Sequence, residues 1–305
     1  METQTYCETT MSKAKAPEGS ADAWGISDEE LVKRPLVYRE DMLAGQTFLI
    51  SGGGSGIGRA VAYVCARLGA NVLICGRRKE KLHETTEGIK RHLGREAVAV
   101  PMTIRDPDAV SRLLDEAFSR FGRLDTLVNN GGGQFPQAAI DFSVKGWLAV
   151  IDTNLNGSWY MMQAAAQRWR ERAQPGNIVN IVANVWRGMP QVAHTCAARA
   201  GVIYLSKTLS TEWAPLKIRV NCLSPGSINT EGLNAYERRD ADMFRFSNPL
   251  HEFGDPVDIA QAVVYLSTPA SRFITGEVMV IDGGNNQHGD VWPDGMPDYF
   301  KVPGR

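Results

Sequence analysis

Residues Ser51 to Gly58 read Ser-Gly-Gly-Gly-Ser-Gly-Ile-Gly. Glycine at Gly52, Gly56 and Gly58 lets the main chain turn tightly and come close to a diphosphate. A helix starting there offers that anion its free N–H groups and the positive end of its dipole. The spacing thus points to a dinucleotide held by Ser51, Gly52, Ser55, Gly56, Ile57 and Gly58. About 20 residues further on, a carboxylate would receive a ribose 2′-hydroxyl. Here the chain has Gly76-Arg77-Arg78 and no acid. Guanidinium groups suit a 2′-phosphate, so the expected cofactor is NADP(H), with Arg77 and Arg78 as ligands. Cys7, Cys65, Cys75, Cys196 and Cys222 are scattered without a Cys-x-x-Cys pair, and the five histidines lack a His-Glu-x-x-His spacing. Neither a disulfide framework nor a metal site is expected.

Such residues need strands and helices to hold them. Thr47–Ile50 is a short apolar run of strand type before the glycine loop, and Arg59–Leu68 has helical spacing after it. The alternation continues with strands at Asn71–Cys75, Ala97–Met102, Leu124–Val128, Asn177–Val182, Ile218–Leu223 and Val278–Ile281. Helices are expected at Lys79–His92, Asp106–Phe121, Gly157–Arg172, Thr195–Trp213 and from Asp255-Pro256 to about Ser267. This order builds a parallel sheet covered on both faces, an α/β doubly wound Rossmann-type domain over residues 45–284. Residues 1–44 form an N-terminal extension whose first 23 residues are too polar to fold, while 24–45 should lie along the surface of the domain. Residues 285–305 form a C-terminal extension whose Trp292-Pro293 and Tyr299-Phe300 could fold back on the domain or a neighbouring subunit. The polar stretch 229–254, with Arg238, Arg239 and Arg245, falls where a substrate lid or a plain surface loop would sit.

Composition narrows the partners. With 33 Lys plus Arg against 34 Asp plus Glu, the net charge of -1 gives no pull toward nucleic acid or anionic lipid. No apolar run approaches the roughly 20 residues of a membrane span. The N-terminus has no signal or transit character, and the chain ends Pro303-Gly304-Arg305 rather than in a Ser-Lys-Leu type signal. A cytoplasmic protein acting on a small molecule is expected.

Beyond the glycine loop, the chain carries Asn129-Asn130-Gly131-Gly132, then Asn154 within Asp152-Thr-Asn-Leu-Asn-Gly157, and Pro225-Gly226 after the sixth strand. In this order the motifs resemble those of the short-chain dehydrogenase/reductase family. The resemblance implies cofactor contacts at Thr103, Asn129, Gly131, Pro225, Gly226 and Ile228, an active-site Asn154, and a homotetramer. It also exposes a departure. Where the family has a Ser, the chain has Val182-Ala183, and where it has Tyr-x-x-x-Lys, the chain has Thr195 and Arg199. A threonine hydroxyl is a far poorer acid than a phenol, and arginine cannot shuttle a proton. Reduction of an activated C=C asks instead for hydrogen-bond donors toward an enolate.

Asn129-Asn-Gly-Gly-Gly-Gln-Phe135, Lys145-Gly-Trp147, Ala197-Ala-Arg-Ala-Gly201 and Phe273-Ile-Thr-Gly276 look like the NADPH-dependent trans-2-enoyl-CoA reductases of peroxisomal type. The chain is also similar to 2,4-dienoyl-CoA reductases and to citronellol/citronellal dehydrogenases of acyclic terpene breakdown. The implied reaction is NADPH-dependent reduction of a 2-enoyl thioester. The alternatives are an alcohol or aldehyde dehydrogenase of terpenoid catabolism and an inactive NADP-binding protein. Arg199 is expected on the nicotinamide ribose, and Thr195 as a donor toward the thioester oxygen or a passive filler. Asn154 would hold a water or backbone. His194 is either a proton source or, the favoured reading, a buried, satisfied histidine. Gln134-Phe135, Trp186-Arg187 and Met189 are candidate walls of an acyl pocket.

Overall fold

The computed structural model describes residues 24–236 and 238–287. Its centre is one all-parallel sheet of seven strands: β1 (Thr47–Ser51), β2 (Asn71–Gly76), β3 (Ala97–Pro101), β4 (Thr126–Asn129), β5 (Gly176–Ile181), β6 (Ile218–Pro225) and β7 (Val278–Ile281). The spatial order is β3-β2-β1-β4-β5-β6-β7, so the order of strands reverses between β1 and β4. In open α/β sheets that switch point is where a crevice opens at the carboxyl ends of the strands. Phe48 of β1 sits between Val72 and Thr126, and Ser51 between Cys75 and Asn129, which fixes the register across the switch.

Side chains alternate between two cores. Phe48, Ile50, Val72 and Ile74 pack under α2 (Gly56–Arg67) and α9 (Pro256–Leu266). Leu49, Leu73, Leu127 and Ile178 pack on the other face, under α4 (Pro107–Phe121) and α6 (Gly157–Glu171). Strands buried on both faces need such continuous apolar runs. All seven strands stand where the sequence pattern expects them.

Three helices escape that pattern. In α1 (Asp28–Lys33), Ser27 and Glu30 form a reciprocal capping box. The segment around it does more than lie on the surface: Leu31 and Leu43 are fully buried in the core, and Arg59 pairs with Asp28. Burying each leucine contributes roughly 1.5–3 kcal/mol, which holds this segment in place. Before α6, α5 (Val144–Ile151) runs into a π-helical turn, Asp152–Asn156. Stretch 229–254 is not an open loop. It contains short 3-10 turns at Glu231–Ala235 and Phe244–Ser247 around α8 (Arg238–Met243).

The remaining helices, α3 (Lys79–Leu93) and α7 (Ala193–Glu212), match expectation. The expected tail at residues 1–23 and the aromatic pairs at 292–293 and 299–300 lie outside the described residues. Among the described residues no helix is long and apolar enough to cross a membrane, and no cluster of His, Cys, Asp and Glu could hold a metal ion.

Candidate active site

β1 ends at Ser51, and the chain then turns through Gly52 at φ +69° and enters α2 through Gly56 at φ +52°. L side chains rarely adopt either angle. Gly58 meets a different demand: a Cβ there would lie 2.3 Å from the Gly52 carbonyl oxygen and 2.4 Å from Asn130 Nδ2. Asn130, which follows β4, donates through that amide to the Ser51 and Gly52 carbonyls, both at 3.2 Å. Ser51 Oγ accepts from the main-chain N–H groups of Asn130 and Gly131. The first turn of α2 is therefore held from the neighbouring strand.

A cavity of about 570 Å³ opens over this turn. Gly52, Ser55, Gly56 and Ile57 line it, together with Arg77, Arg78, Thr103 and Gly131. Arg77 and Arg78 are exposed at the end of β2, and Arg78 donates to Ser55 Oγ at 3.0 Å. The other expected cofactor residues stand behind the wall. Asn129 is buried and donates to Asn180 Oδ1 at 2.8 Å, tying β4 to β5. Gly226 allows β6 to pass Asp282, whose Cα would be 2.7 Å from a Cβ there. Ile228 is buried and bridges to Gly254, and Pro225 pairs with Ile281.

Two charged lining residues were not foreseen. Lys81 of α3 joins the arginines at the cavity edge, its ammonium on Glu84 at 2.6 Å. Glu231 accepts the Gly56 N–H at 3.0 Å, so a carboxylate sits on the first N–H of α2. Its sequence position, 175 residues from Gly56, carried no signal. The Gly56 N–H already receives an anion, which fits an anionic diphosphate at the same place.

At the other end of the cleft, α7 presents Thr195 and Arg199 from one face, four residues apart. Both are buried, and Thr195 Oγ1 and Arg199 Nη1 have no hydrogen-bond partner. Burial pulls Arg199 down to about 10, which still leaves it charged at neutral pH. Among the described residues no carboxylate pairs with it. Burial pushes the neighbouring Cys222 thiol up to about 11, so this group supplies no counter-charge either. An uncompensated buried cation costs several kcal/mol, and a polar or anionic ligand would offset that cost. These orphaned atoms and the glycine cradle fit a nicotinamide dinucleotide, which the Gly52–Gly58 turn and Arg199 would hold.

Asn154 lies on the π-helical turn, a distortion often found at functional sites. Its amide donates to the Gly133 carbonyl and accepts the Gly133 N–H, both at 3.0 Å. The loop after β4 is thereby pressed against Arg199. A Cβ on Gly132 would come 2.2 Å from Arg199 Nη2, so a side chain there would displace the guanidinium.

His194 is fully buried, stacked on Phe142 at 4.6 Å and edge-on to Phe135 at 4.7 Å. Burial lowers its pKa, so it is neutral at neutral pH; its Nδ1 accepts the Thr195 N–H at 2.8 Å while its Nε2 has no hydrogen-bond partner, so the expected satisfied histidine is buried but only half satisfied. Phe135 and Met189 stand near the head of α7, the latter through an N–H contact with Cys196 Sγ at 3.2 Å. Trp186 remains 44% exposed. Gln134 donates to Tyr236 Oη, a contact the linear sequence did not suggest.

Known proteins share this architecture. A family model described as enoyl-(acyl carrier protein) reductase matches residues 52–286. A Bacillus subtilis protein named "Probable 2,4-dienoyl-CoA reductase [(2E)-enoyl-CoA-producing]" is 38% identical over 241 residues, covering 77% of this chain and 94% of its own length. The peroxisomal 2,4-dienoyl-CoA reductase of Danio rerio, of the (3E)-enoyl-CoA-producing kind, is 34% identical and covers 85% and 87%. Among solved structures, a Bacillus anthracis short chain dehydrogenase matches with TM-score 0.76 and 38% identity over 81% of this chain and 98% of its own. A citronellol catabolism dehydrogenase of Pseudomonas aeruginosa matches with TM-score 0.73 and 34% identity over 82% and 99%.

Proposed function

Because the chain belongs to the short-chain dehydrogenase/reductase family of oxidoreductases, we propose that it reduces, with NADPH, a C=C bond conjugated to a thioester, of the 2-enoyl-CoA or 2,4-dienoyl-CoA class. The observation that carries this reading is the head of α7. A phenol and an ammonium would serve a carbonyl reductase there. This chain has Thr195 and a buried, unpaired Arg199 instead.

When bound, the reduced nicotinamide supplies a hydride. The glycine turn with Gly56 would hold its diphosphate, and Arg77 and Arg78 the 2′-phosphate. Arg199 holds a permanent positive charge at the far end, and its pKa leaves no proton to give near neutrality. Such a charge favours negative charge developing on a thioester oxygen and does so without moving a proton. Thr195 Oγ1, free of any partner, is a donor toward the same oxygen. Asn154 keeps the loop after β4 against Arg199. Phe135, Phe142 and His194 offer an apolar wall that keeps water from the acyl chain. The relatives named as dienoyl-CoA reductases support the thioester class.

Purified protein mixed with NADPH and crotonyl-CoA, or a 2,4-dienoyl-CoA, should lose absorbance at the nicotinamide band. Brisk interconversion of citronellol and citronellal with no turnover of either thioester would overturn the reading. That outcome would favour a terpenoid dehydrogenase, the reading supported by the similarity to the citronellol enzyme. Arg77→Asp should move the preference from NADPH toward NADH by roughly 10–100-fold, as expected for losing a charged hydrogen bond. An unchanged ratio would reject the 2′-phosphate assignment.

A further inference from the structure

Reduction of a conjugated thioester ends with a proton on carbon, and neither Thr195, Arg199 nor neutral His194 is an acid suited to give it. A phenol from another part of the fold meets the loop after β4. Tyr236 ends the 3-10 turn that follows β6, and its hydroxyl accepts from Gln134 Nε2 in the loop after β4.

In the sheet, β5 lies between β4 and β6. A contact between the segments leaving β4 and β6 must therefore span the carboxyl end of β5, and β5 leads into α7 with Thr195 and Arg199. Both segments also wall the cofactor cavity just upstream, at Gly132 and at Gly232. Gln134 follows directly on Gly133, which Asn154 holds, and on Gly132, which touches Arg199. The same loop is fastened to the residues before α7 by the Gln137 N–H on the Gln191 carbonyl, at 2.9 Å. Tyr236 is itself fixed by an edge-on contact with Phe244 at 4.9 Å.

We propose that Tyr236 is the proton donor of the reaction. This assignment rests on the enoyl-thioester reading above. The hydride added at the β-carbon sends the C=C electron pair into an enolate. The enolate α-carbon then takes the proton from Tyr236 Oη, and the phenolate regains a proton from water. Gln134 keeps an N–H on the oxygen throughout, which steadies the transient phenolate. Burial raises the Tyr236 pKa, so the phenol carries its proton across the neutral range.

The test compares wild type, Tyr236→Phe and Gln134→Leu with NADPH and crotonyl-CoA in D₂O. Wild type should place deuterium on one face of the α-carbon. Tyr236→Phe should bind NADPH with unchanged Kd, lose kcat on the order of 100-fold, and deuterate both faces, because solvent then supplies the proton. Gln134→Leu keeps the phenol but frees it, so kcat should fall by a smaller factor with some loss of face selectivity. This variant decides the matter if Tyr236→Phe also loses NADPH binding. Wild-type turnover and single-face deuteration in both variants would overturn the proposal alone. Absence of thioester reduction by the wild type would overturn the underlying reading and this assignment with it.

Discussion

The two ends of the cleft are built by opposite means. At the cofactor end, the main chain does the work. Gly52 and Gly56 take up positive φ, Gly58 allows a close approach, and the Gly56 N–H at the start of α2 donates to an anion, the Glu231 carboxylate. The turn itself lies within a few consecutive residues, with Asn130 holding it from the end of β4. At the proposed substrate end, the side chains come from four segments: Gln134 after β4, Asn154 on the π-helical turn, Thr195 and Arg199 on α7, and Tyr236 after β6. Gln134 and Tyr236 are 102 residues apart in the chain. A backbone site tolerates few changes at its glycines. A side-chain site can exchange its chemical groups while the frame stays, and this explains how Thr195 and Arg199 stand in a fold whose cofactor end is intact.

The sharpest way to break this contrast is Gly58→Ala. Its Cβ would press on the Gly52 carbonyl. NADPH affinity should fall on the order of 100-fold, as for a misplaced binding element, with a stability cost of about 1–3 kcal/mol. Fluorescence titration and denaturant unfolding measure the two effects, and unaltered binding would show that the backbone cradle is dispensable.

Arg199→Met should behave in the reverse sense. Turnover should drop by roughly 10–100-fold, yet the ligand-free protein should unfold at the same or a higher temperature, because an unpaired buried cation has been replaced by an apolar chain. The thermal shift on adding NADPH should shrink. A large fall in ligand-free Tm would mean that the guanidinium is part of the framework.

The smallest effect is expected at Glu231. Its carboxylate must leave the Gly56 N–H before a diphosphate can take it. Glu231→Gln should tighten NADPH binding about two- to fivefold, the size of one charge at an exposed helix start. Weaker or equal affinity by calorimetry would show that the carboxylate does not compete.

The asymmetry also decided what could be read in advance. The seven strands and the glycine turn were legible because their signals are local: apolar runs of strand length, and glycines where no side chain fits. The capping box of Ser27 and Glu30 was equally local but went unused, so α1 and the buried Leu31 were missed. Nothing around Tyr236 or Glu231 announces a role, since each acquires its partner only when β6 is laid beside β5 in the sheet. The enclosure of His194 by Phe135 and Phe142 was equally invisible, because the three rings come together only through packing.

The sequence alone determined the alternation of strands and helices, the place of the anion-binding turn, and the loss of the phenol at Thr195, because these depend on neighbours along the chain. Tertiary structure alone decided that Arg199 is buried without a counter-charge and that Tyr236 reaches across to Gln134. Burial and long-range hydrogen bonds arise from packing between distant segments, and no window of residues contains them.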